Sequence, residues 1–223
     1  MNNLLHIDSS PRTEQSHSRK LTRIFVKRWL DTFPRYKVTY RDLYVTPPPH
    51  VTLPWIQSAF TPEEERSDRQ DQALEISDLL VDEFLTADAL VMGVPMYNFG
   101  MPSILKAYVD NIVRVGRTFD FDARADDHYT PLVDDMPVFV IIATGDDGYG
   151  HGERLETMNH LAPHLKTVFG FIGIRDITYI YTGNDEFGGE ELENSLNRAA
   201  KKVEDVIDSR SANQPVTAGG CYG

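Results

Sequence analysis

Apolar segments of strand type alternate with segments of helical type along most of this chain. Five short segments are typical of strands, at residues 3–8, 37–42, 89–94, 138–143 and 176–181. Apolar residues at helical spacing occupy the stretches between and after them, at residues 18–32, 71–85, 102–113, 153–169 and 190–208. Regular alternation of this kind is typical of βαβ units. The chain therefore predicts an α/β protein with a five-stranded parallel sheet.

Five parallel strands with helices available for both faces match the flavodoxin-like form of the doubly wound fold, with three layers, α/β/α. In that fold a ligand binds beyond the carboxyl ends of the strands, at the point between the first and third strands where the strand order reverses. The loops that follow residues 8 and 94 are therefore expected to form the site.

The first of these loops is rich in hydroxyl groups. Ser10 follows the first strand, and Ser16, His17 and Ser18 stand at the start of the first predicted helix. Hydroxyls and free backbone N–H groups at a helix start bind phosphate, and the nearby Arg12 makes this region locally positive. An ordinary turn with a helix cap is the alternative, but the position in the fold favours a phosphate site.

The second loop offers a flat surface with hydrogen-bonding groups. It reads Pro95, Met96, Tyr97, Asn98 and Phe99. An asparagine between two aromatic residues suits a planar ring with amide-like edges, such as a flavin. An ordinary strand-to-helix turn with its aromatic residues in the core is the alternative. A phosphate site and a ring surface at neighbouring strand ends together predict flavin mononucleotide (FMN) as the cofactor.

A third loop follows the fourth predicted strand and begins with Thr144, Gly145, Asp146 and Asp147. Its glycine run lacks the lysine and hydroxyl of a nucleoside triphosphate loop, and it does not match Gly-x-Gly-x-x-Gly. We expect this loop to lie beside the flavin ring and to supply glycine backbone to its edge. An acidic surface loop is the alternative.

Two connections are longer than an α/β core requires. Residues 47–69 begin with three prolines, which exclude a helix or central strand at that point, and carry Trp55 and Phe60. Long connections are usually functional or interfacial, and interfaces favour buried aromatic residues, so this one predicts a homodimer. Residues 118–132 have aromatic ends around a polar middle, which predicts a hairpin over the site.

Residues 1–208 are expected to form a single flavin-binding domain. Residues 209–223 contain few apolar side chains and are expected to form a tail. His160 and His164 have the spacing of metal ligands, but no acidic or sulfur partner stands at ligand spacing, so no metal site is expected.

The formal charge of −12, from 34 acidic and 22 basic residues, argues against binding to nucleic acid or to an anionic membrane. The chain has one cysteine, which favours a reducing cytoplasm. The first residues do not resemble a signal peptide, and no stretch has the length and apolar character of a membrane span.

The chain resembles the FMN-dependent NADH:quinone oxidoreductase and azoreductase family from residue 3 to about residue 208. Four pieces carry the resemblance: Ser9-Ser10 with Ser16-x-Ser18, Arg41-Asp42-Leu43, Val-Pro-Met-Tyr-Asn-Phe at residues 94–99, and Gly-Phe-Ile-Gly-Ile at residues 170–174.

The resemblance implies a flavodoxin-like homodimer with FMN at the dimer edge. It places Ser10, Ser16, His17 and Ser18 at the phosphate and residues 96–99 along the isoalloxazine ring. It also implies that the substrate face is lined by Phe119, Phe121 and Phe171. The chain departs from the family at Thr144-Gly145-Asp146-Asp147, where Ser-Arg-Gly-Gly is usual. Two carboxylates in place of a cation should disfavour anionic substrates.

The expected reaction is a ping-pong transfer in which NADH or NADPH gives hydride to FMN and leaves, after which a quinone or azo compound takes two electrons. The flavin performs this chemistry, so no catalytic side chain is required. An FMN-containing electron carrier that docks on protein partners is the alternative, because the same fold serves both purposes. A flavin-free acyl hydrolase using Ser9 or Ser10 has no visible histidine and aspartate partners.

Overall fold

The computed structural model describes residues 2–213 and contains a five-stranded sheet and a small hairpin. In chain order the strands are β1 (Asn2–Asp8), β2 (Tyr36–Asp42), β3 (Ala89–Pro95), β4 (Phe119–Phe121), β5 (Tyr129–Pro131), β6 (Val138–Ala143) and β7 (Ile177–Thr182). The sheet has the order β2-β1-β3-β6-β7, and all its neighbours are parallel. The order reverses between β1 and β3, as the flavodoxin-like prediction requires.

Six helices accompany the strands: α1 (His17–Thr32), α2 (Leu53–Ala59), α3 (Asp68–Leu85), α4 (Ser103–Ile112), α5 (Leu161–Ile172) and α6 (Gly189–Asn213). Successive strand residues point to opposite faces of the sheet. Leu4 accordingly packs with α1 and α6, whereas Leu5 packs with α3, α4 and α5. The sheet thus lies between two helical layers, which confirms the three-layer arrangement. None of the helices within residues 2–213 combines the length and apolar character needed to cross a bilayer.

The predicted helix at residues 153–169 begins later than expected, at Leu161, and continues to Ile172. Asn159 explains the later start, because its Oδ1 accepts hydrogen bonds of 3.1 Å from the N–H groups of both Leu161 and Ala162. Pro163 stands in the first turn of α5, where its missing N–H group costs no helical hydrogen bond. Residues before Asn159 form turns and the short 3₁₀ helix Glu156–Met158.

The structure also bears on the predictions for three further regions. The connection at residues 47–69 contains α2, a helix that the sequence analysis missed although Thr52 caps it and Pro54 lies in its first turn. The hairpin within residues 118–132 is confirmed, with β4 and β5 antiparallel. The last helix continues to Asn213, so residues 209–213 extend α6 instead of beginning a tail. The rest of the expected tail, residues 214–223, lies outside the described residues.

Candidate cofactor site

The loop between β1 and α1 presents a set of unused hydrogen-bond donors. Ser16 caps α1 by accepting the Arg19 N–H at 3.3 Å. His17 and Ser18 begin the helix, so neither N–H has a partner one turn earlier, and neither donates to another described residue. The Nδ1 atom of His17 is also buried without a hydrogen-bond partner in the described part of the chain. The two backbone N–H groups form a site for an anion.

A buried arginine holds this loop in place. Arg19 donates to the backbone oxygen of Ser10 from Nε at 2.9 Å and from Nη2 at 2.7 Å. The same guanidinium bonds both carboxylate oxygens of Asp42, at 2.6 and 2.7 Å, and its side chain is only 4% exposed. The hydrogen bonds with Asp42 raise the pKa of Arg19. The Arg41-Asp42-Leu43 motif therefore contributes through Asp42, which anchors the β1–α1 loop from β2.

A cavity of about 200 Å³ opens in front of the β1–α1 loop. The ends of four strands contribute to its lining, which consists of Ser10, Arg12, Ser16, His17, Pro95, Met96, Tyr97, Ala143, Thr144, Gly145, Asp185 and Glu186. The Ser18 side chain lies behind this surface instead, because it is fully buried and its Oγ is 3.1 Å from the Ser16 Oγ. Ser18 can therefore serve an anion through its backbone N–H.

The loop after β3 makes a strained turn. Tyr97 and Gly100 exchange two backbone hydrogen bonds of 3.0 Å, and between them Asn98 and Phe99 have φ values of 47° and 66°. Two left-handed central residues are typical of a type I′ turn, a conformation that costs a bulky residue such as Phe99 about 1–3 kcal/mol. The turn leaves the N–H groups of Asn98 and Phe99 without a partner among the described residues.

Asn159 and His160 connect this turn with three other elements. The N–H of His160 donates to the Phe99 oxygen at 2.9 Å. Besides capping α5, Asn159 donates from Nδ2 to the backbone oxygen of Tyr149 at 3.0 Å and to the hydroxyl of Tyr181 at 3.2 Å. The start of α5 therefore fixes the turn after β3, the loop after β6 and the end of β7 relative to one another.

A second cavity, of about 210 Å³, lies against the turn. Its lining consists of Met96, Asn98, Phe99, Thr144, Gly145, Asp146, Tyr149 and Glu186. Four of these residues, Met96, Thr144, Gly145 and Glu186, also line the first cavity. We refer to the two cavities together as the groove. It joins a phosphate end, at the start of α1, to a ring end, at the type I′ turn.

The two carboxylates of the third loop have arginine partners. Asp146 lines the groove and pairs with Arg154 at 2.9 Å, and the hydrogen bond from Arg154 lowers its pKa. Asp147 pairs with Arg198 at 3.1 Å and does not line either cavity of the groove. The loop is therefore less negative than its sequence suggests.

Sequence reasoning missed the loop after β7, which contributes Asp185 and Glu186 to the groove. The signal was available, because parallel strands end at one edge of the sheet and every loop at that edge faces the site. Glu186 lies on Gly145 so closely that a Cβ there would collide with its carboxylate. Its backbone N–H also donates to the Gly145 oxygen at 3.1 Å.

The three aromatic residues expected at the substrate face come together with Tyr129. The ring centres of Phe119 and Phe171 are 4.9 Å apart, and those of Phe121 and Tyr129 are 5.3 Å apart. We call Phe119, Phe121, Tyr129 and Phe171 the aromatic cluster. Among the described residues that line the groove, none belongs to this cluster.

Trp55 and Phe60 have different environments. Trp55 is only 8% exposed and packs on Ala59 and Leu74 in a small core of its own, so it is buried within its own chain and not free for an interface. Arg114 lies over its ring at 5.6 Å. Phe60, in contrast, is 67% exposed.

The groove suits the shape and chemistry of FMN. Its phosphate end has hydroxyl and N–H donors, and its ring end has an aromatic turn with two free N–H groups. The two ends lie beyond β1 and β3, where the strand order reverses. These are the features that a phosphorylated, planar ligand requires.

Comparison with known proteins agrees with this geometry. The family described as "Flavodoxin-like fold" matches residues 2–207. An FMN-dependent NADH:quinone oxidoreductase from Nostoc sp. is 44% identical over 207 residues, which are 93% of this chain and 99% of that protein. An FMN-dependent NAD(P)H:quinone oxidoreductase 1 from Pseudomonas aeruginosa is 38% identical, with 91% of this chain and 97% of that protein covered.

Solved structures share the fold at lower identity. The azoreductase from Bacillus anthracis str. Sterne has a TM-score of 0.82 and 21% identity, with 94% of this chain and all of that chain covered. An FMN-dependent NADH-azoreductase from Bacillus anthracis in complex with FMN has a TM-score of 0.82, 22% identity and coverage of 95% and 100%. The relatives at 38–44% identity and the family match lead to one conclusion. The chain belongs to the flavodoxin-like family of FMN-dependent NADH:quinone oxidoreductases.

Proposed function

We propose that this chain is an oxidoreductase that binds FMN in the groove and passes two electrons from NADH or NADPH to quinones and azo compounds. The observation that carries the proposal is the union of a phosphate end and a ring end in one groove beyond β1 and β3. The names of relatives at 44% and 38% identity support the cofactor and the quinone acceptor.

The phosphate end holds the cofactor through groups that need no rearrangement. The hydroxyls of Ser10 and Ser16 and the N–H groups of His17 and Ser18 donate to phosphate oxygens. Hydrogen bonds to a charged group contribute about 1.5–3 kcal/mol each. Arg19 fixes the position of these donors through Ser10 and remains behind the binding surface.

The ring end orients the cofactor and controls charge. FMN, when bound, supplies the reversible two-electron chemistry, so the protein needs no nucleophile. The side chains of Met96, Tyr97 and Phe99 support one face of a planar ring, and Gly145 lies at its edge, where the missing side chain makes room for the Glu186 carboxylate. The N–H groups of Asn98 and Phe99 stabilise negative charge that develops on ring nitrogen and carbonyl groups.

Donor and acceptor use the groove in turn, which gives ping-pong kinetics. Both partners stack on the same exposed face of the ring, so the oxidised nicotinamide must leave before the acceptor binds.

The catalytic unit is a homodimer in which the aromatic cluster of one protomer covers the ring end of its partner. The cluster lies outside the groove of its own chain, and Phe121 and Tyr129 are exposed. Phe60, Val45 and Leu53 are each 67–69% exposed, and a dimer would remove such large apolar side chains from water. Sedimentation at micromolar concentration should show one dimeric species, and a monomer would contradict this arrangement.

Anaerobic stopped-flow spectroscopy tests the proposed activity against the electron-carrier alternative. Mixing the yellow holoprotein with NADH or NADPH should bleach the flavin absorbance directly, and addition of a quinone should restore it. Initial rates at several quinone concentrations should give parallel double-reciprocal lines. An electron carrier would keep its absorbance until a separate reductase was added, and converging lines would contradict the ping-pong order.

A further inference from the structure

The loop after β7 places a carboxylate at the phosphate end of the groove. Asp185 Oδ1 lies 2.8 Å from His17 Nε2, and Arg12 Nη1 donates to Asp185 Oδ2. Arg12, His17 and Asp185 all line the first cavity. Both oxygens of Asp185 therefore engage the two side chains that could otherwise turn toward a bound phosphate.

The charges that line this cavity oppose an anion. Arg12 is the cation there, and Asp185 and Glu186 are two carboxylates, which gives a net charge of −1 when His17 is neutral. Burial alone would raise the pKa of the Asp185 carboxyl. The hydrogen bonds from Arg12 and His17 together have the larger effect, so this pKa is lowered. Asp185 is therefore anionic near neutral pH, and like charges at short range in a partly buried site repel strongly.

The backbone of this loop folds the two carboxylates back over the groove. Asn184 has a φ of 68°, and Gly188 and Gly189 have φ values of 67° and 57°. Left-handed residues on both sides of Asp185 and Glu186 reverse the chain direction, and the glycines do so without steric cost. The Asp185 side chain is 28% exposed, so it lies at the rim of the site and can move aside into solvent.

We propose that Asp185 competes with the FMN phosphate for Arg12 and His17 and thereby determines how strongly the site prefers FMN to riboflavin. This inference rests on the proposed binding of FMN phosphate at Ser10 and Ser16. Orientation of Arg12 and His17 toward phosphate is the other role that a carboxylate could have. Competition is favoured because Asp185 occupies the hydrogen-bonding nitrogens of both side chains itself, and because the serine hydroxyls and helix N–H groups do not depend on Asp185.

Asp185→Asn tests the proposal because it removes the charge and retains the size of the side chain. The full chain, freed of flavin, is titrated with FMN and with riboflavin at low and high salt by flavin fluorescence. FMN should bind the variant about tenfold more tightly than the parent at low salt. The gain should shrink at high salt, where charges at the rim are screened, and riboflavin affinity should not change.

Glu190→Gln is the matched control. It removes one negative charge from the exposed start of α6, outside the residues that line the groove, and should leave both affinities unchanged. Asp185→Ala removes the hydrogen bonds together with the charge and should also tighten FMN binding.

Three results would overturn the inference. Weaker FMN binding by both Asp185 variants would show that the carboxylate orients Arg12 and His17 toward the phosphate. An unchanged FMN affinity would show that it does not act on phosphate at all. An equal gain for riboflavin would show that the loop blocks the whole groove without selecting phosphate. A parent protein that binds neither flavin would refute the proposed function itself, which separates the two failures.

Discussion

The phosphate end and the acidic loops of the groove differ in how their charges are held. Behind the phosphate end, the buried Arg19 donates hydrogen bonds to both Ser10 and Asp42. In the loops after β6 and β7, Asp146, Asp147 and Asp185 form pairs near the surface. Removing a partner from a buried pair leaves an uncompensated charge, whereas exposed pairs contribute little. The buried arginine is therefore fixed by the fold, whereas the acidic loops can change their charge without loss of the fold.

The largest effect is expected from Arg19→Ala. This change leaves the Asp42 carboxylate at a poorly solvated position without its partner and should lower the free energy of unfolding by about 3–5 kcal/mol. Chemical denaturation measures the loss. Arg23→Ala is the control, because Arg23 forms an exposed pair with Glu14 and should cost about 0–1 kcal/mol. Equal losses of unfolding free energy in the two variants would contradict the expected difference between buried and exposed charges.

The next largest effect is expected from Ser16→Ala. Loss of its hydroxyl should weaken FMN binding by about 1.5–3 kcal/mol, since a hydrogen bond to phosphate is lost. Ser18→Ala should weaken FMN less, because the Ser18 Oγ is buried behind Ser16. Titration of the flavin-free chain measures both. A larger loss for Ser18→Ala would show that its hydroxyl, and not only its N–H, reaches the phosphate.

Phe99→Gly tests two roles of residue 99 at the ring end, its backbone strain and its aromatic surface. Glycine adopts the left-handed conformation of residue 99 without strain, which should raise the free energy of unfolding by about 1 kcal/mol. The same change removes the aromatic surface and should weaken FMN binding. Thermal unfolding of the flavin-free chain and FMN titration separate the two effects. Lower stability and unchanged FMN affinity would mean that Phe99 packs in its own chain and leaves the ring untouched.

The smallest effects concern acceptor charge. Neutral quinones should be reduced with higher kcat/KM than sulfonated azo dyes, because carboxylates line the ring end. The sequence alone assigned this effect to Asp146 and Asp147, but their arginine partners reduce it, and Glu186 lies in the groove without an ion-pair partner among the described residues.

Glu186→Gln should therefore reduce the ratio of kcat/KM for neutral quinones to kcat/KM for sulfonated azo dyes by about two- to threefold at low salt. The double change Asp146→Asn with Asp147→Asn should narrow it by less. Equal kcat/KM for the two acceptors in the parent would contradict the prediction. A difference that only the double variant removes would reverse the roles assigned to the two loops.

The sheet and most of the groove lining could be predicted from the sequence because they depend on local patterns. The five strands are close to their predicted bounds, since buried apolar runs followed by polar loops are local signals. The predicted residues of the loops after β1 and β3 line the groove, apart from the Ser18 side chain, because strand order fixes where those loops meet.

The features that the sequence did not reveal depend on distant partners. Asp185 meets His17 across 168 positions of sequence, and Asp147 meets Arg198 across 51. No local pattern distinguishes an aspartate with a remote partner from one that is fully solvated. The burial of Trp55 was missed for a related reason, because it requires α2 to pack against α3.

The hydrogen bonds of Asn159 have a consequence for how the ring end fluctuates. One buried amide group joins the loop after β6, the end of β7 and the first turn of α5, and the adjacent His160 N–H joins the type I′ turn. Segments that share such bonds open together, as one unit of local unfolding. Hydrogen exchange of the protected amides in these four segments should give one common free energy of opening. The ring end would then behave as a single moving part, although its pieces come from four separate stretches of chain.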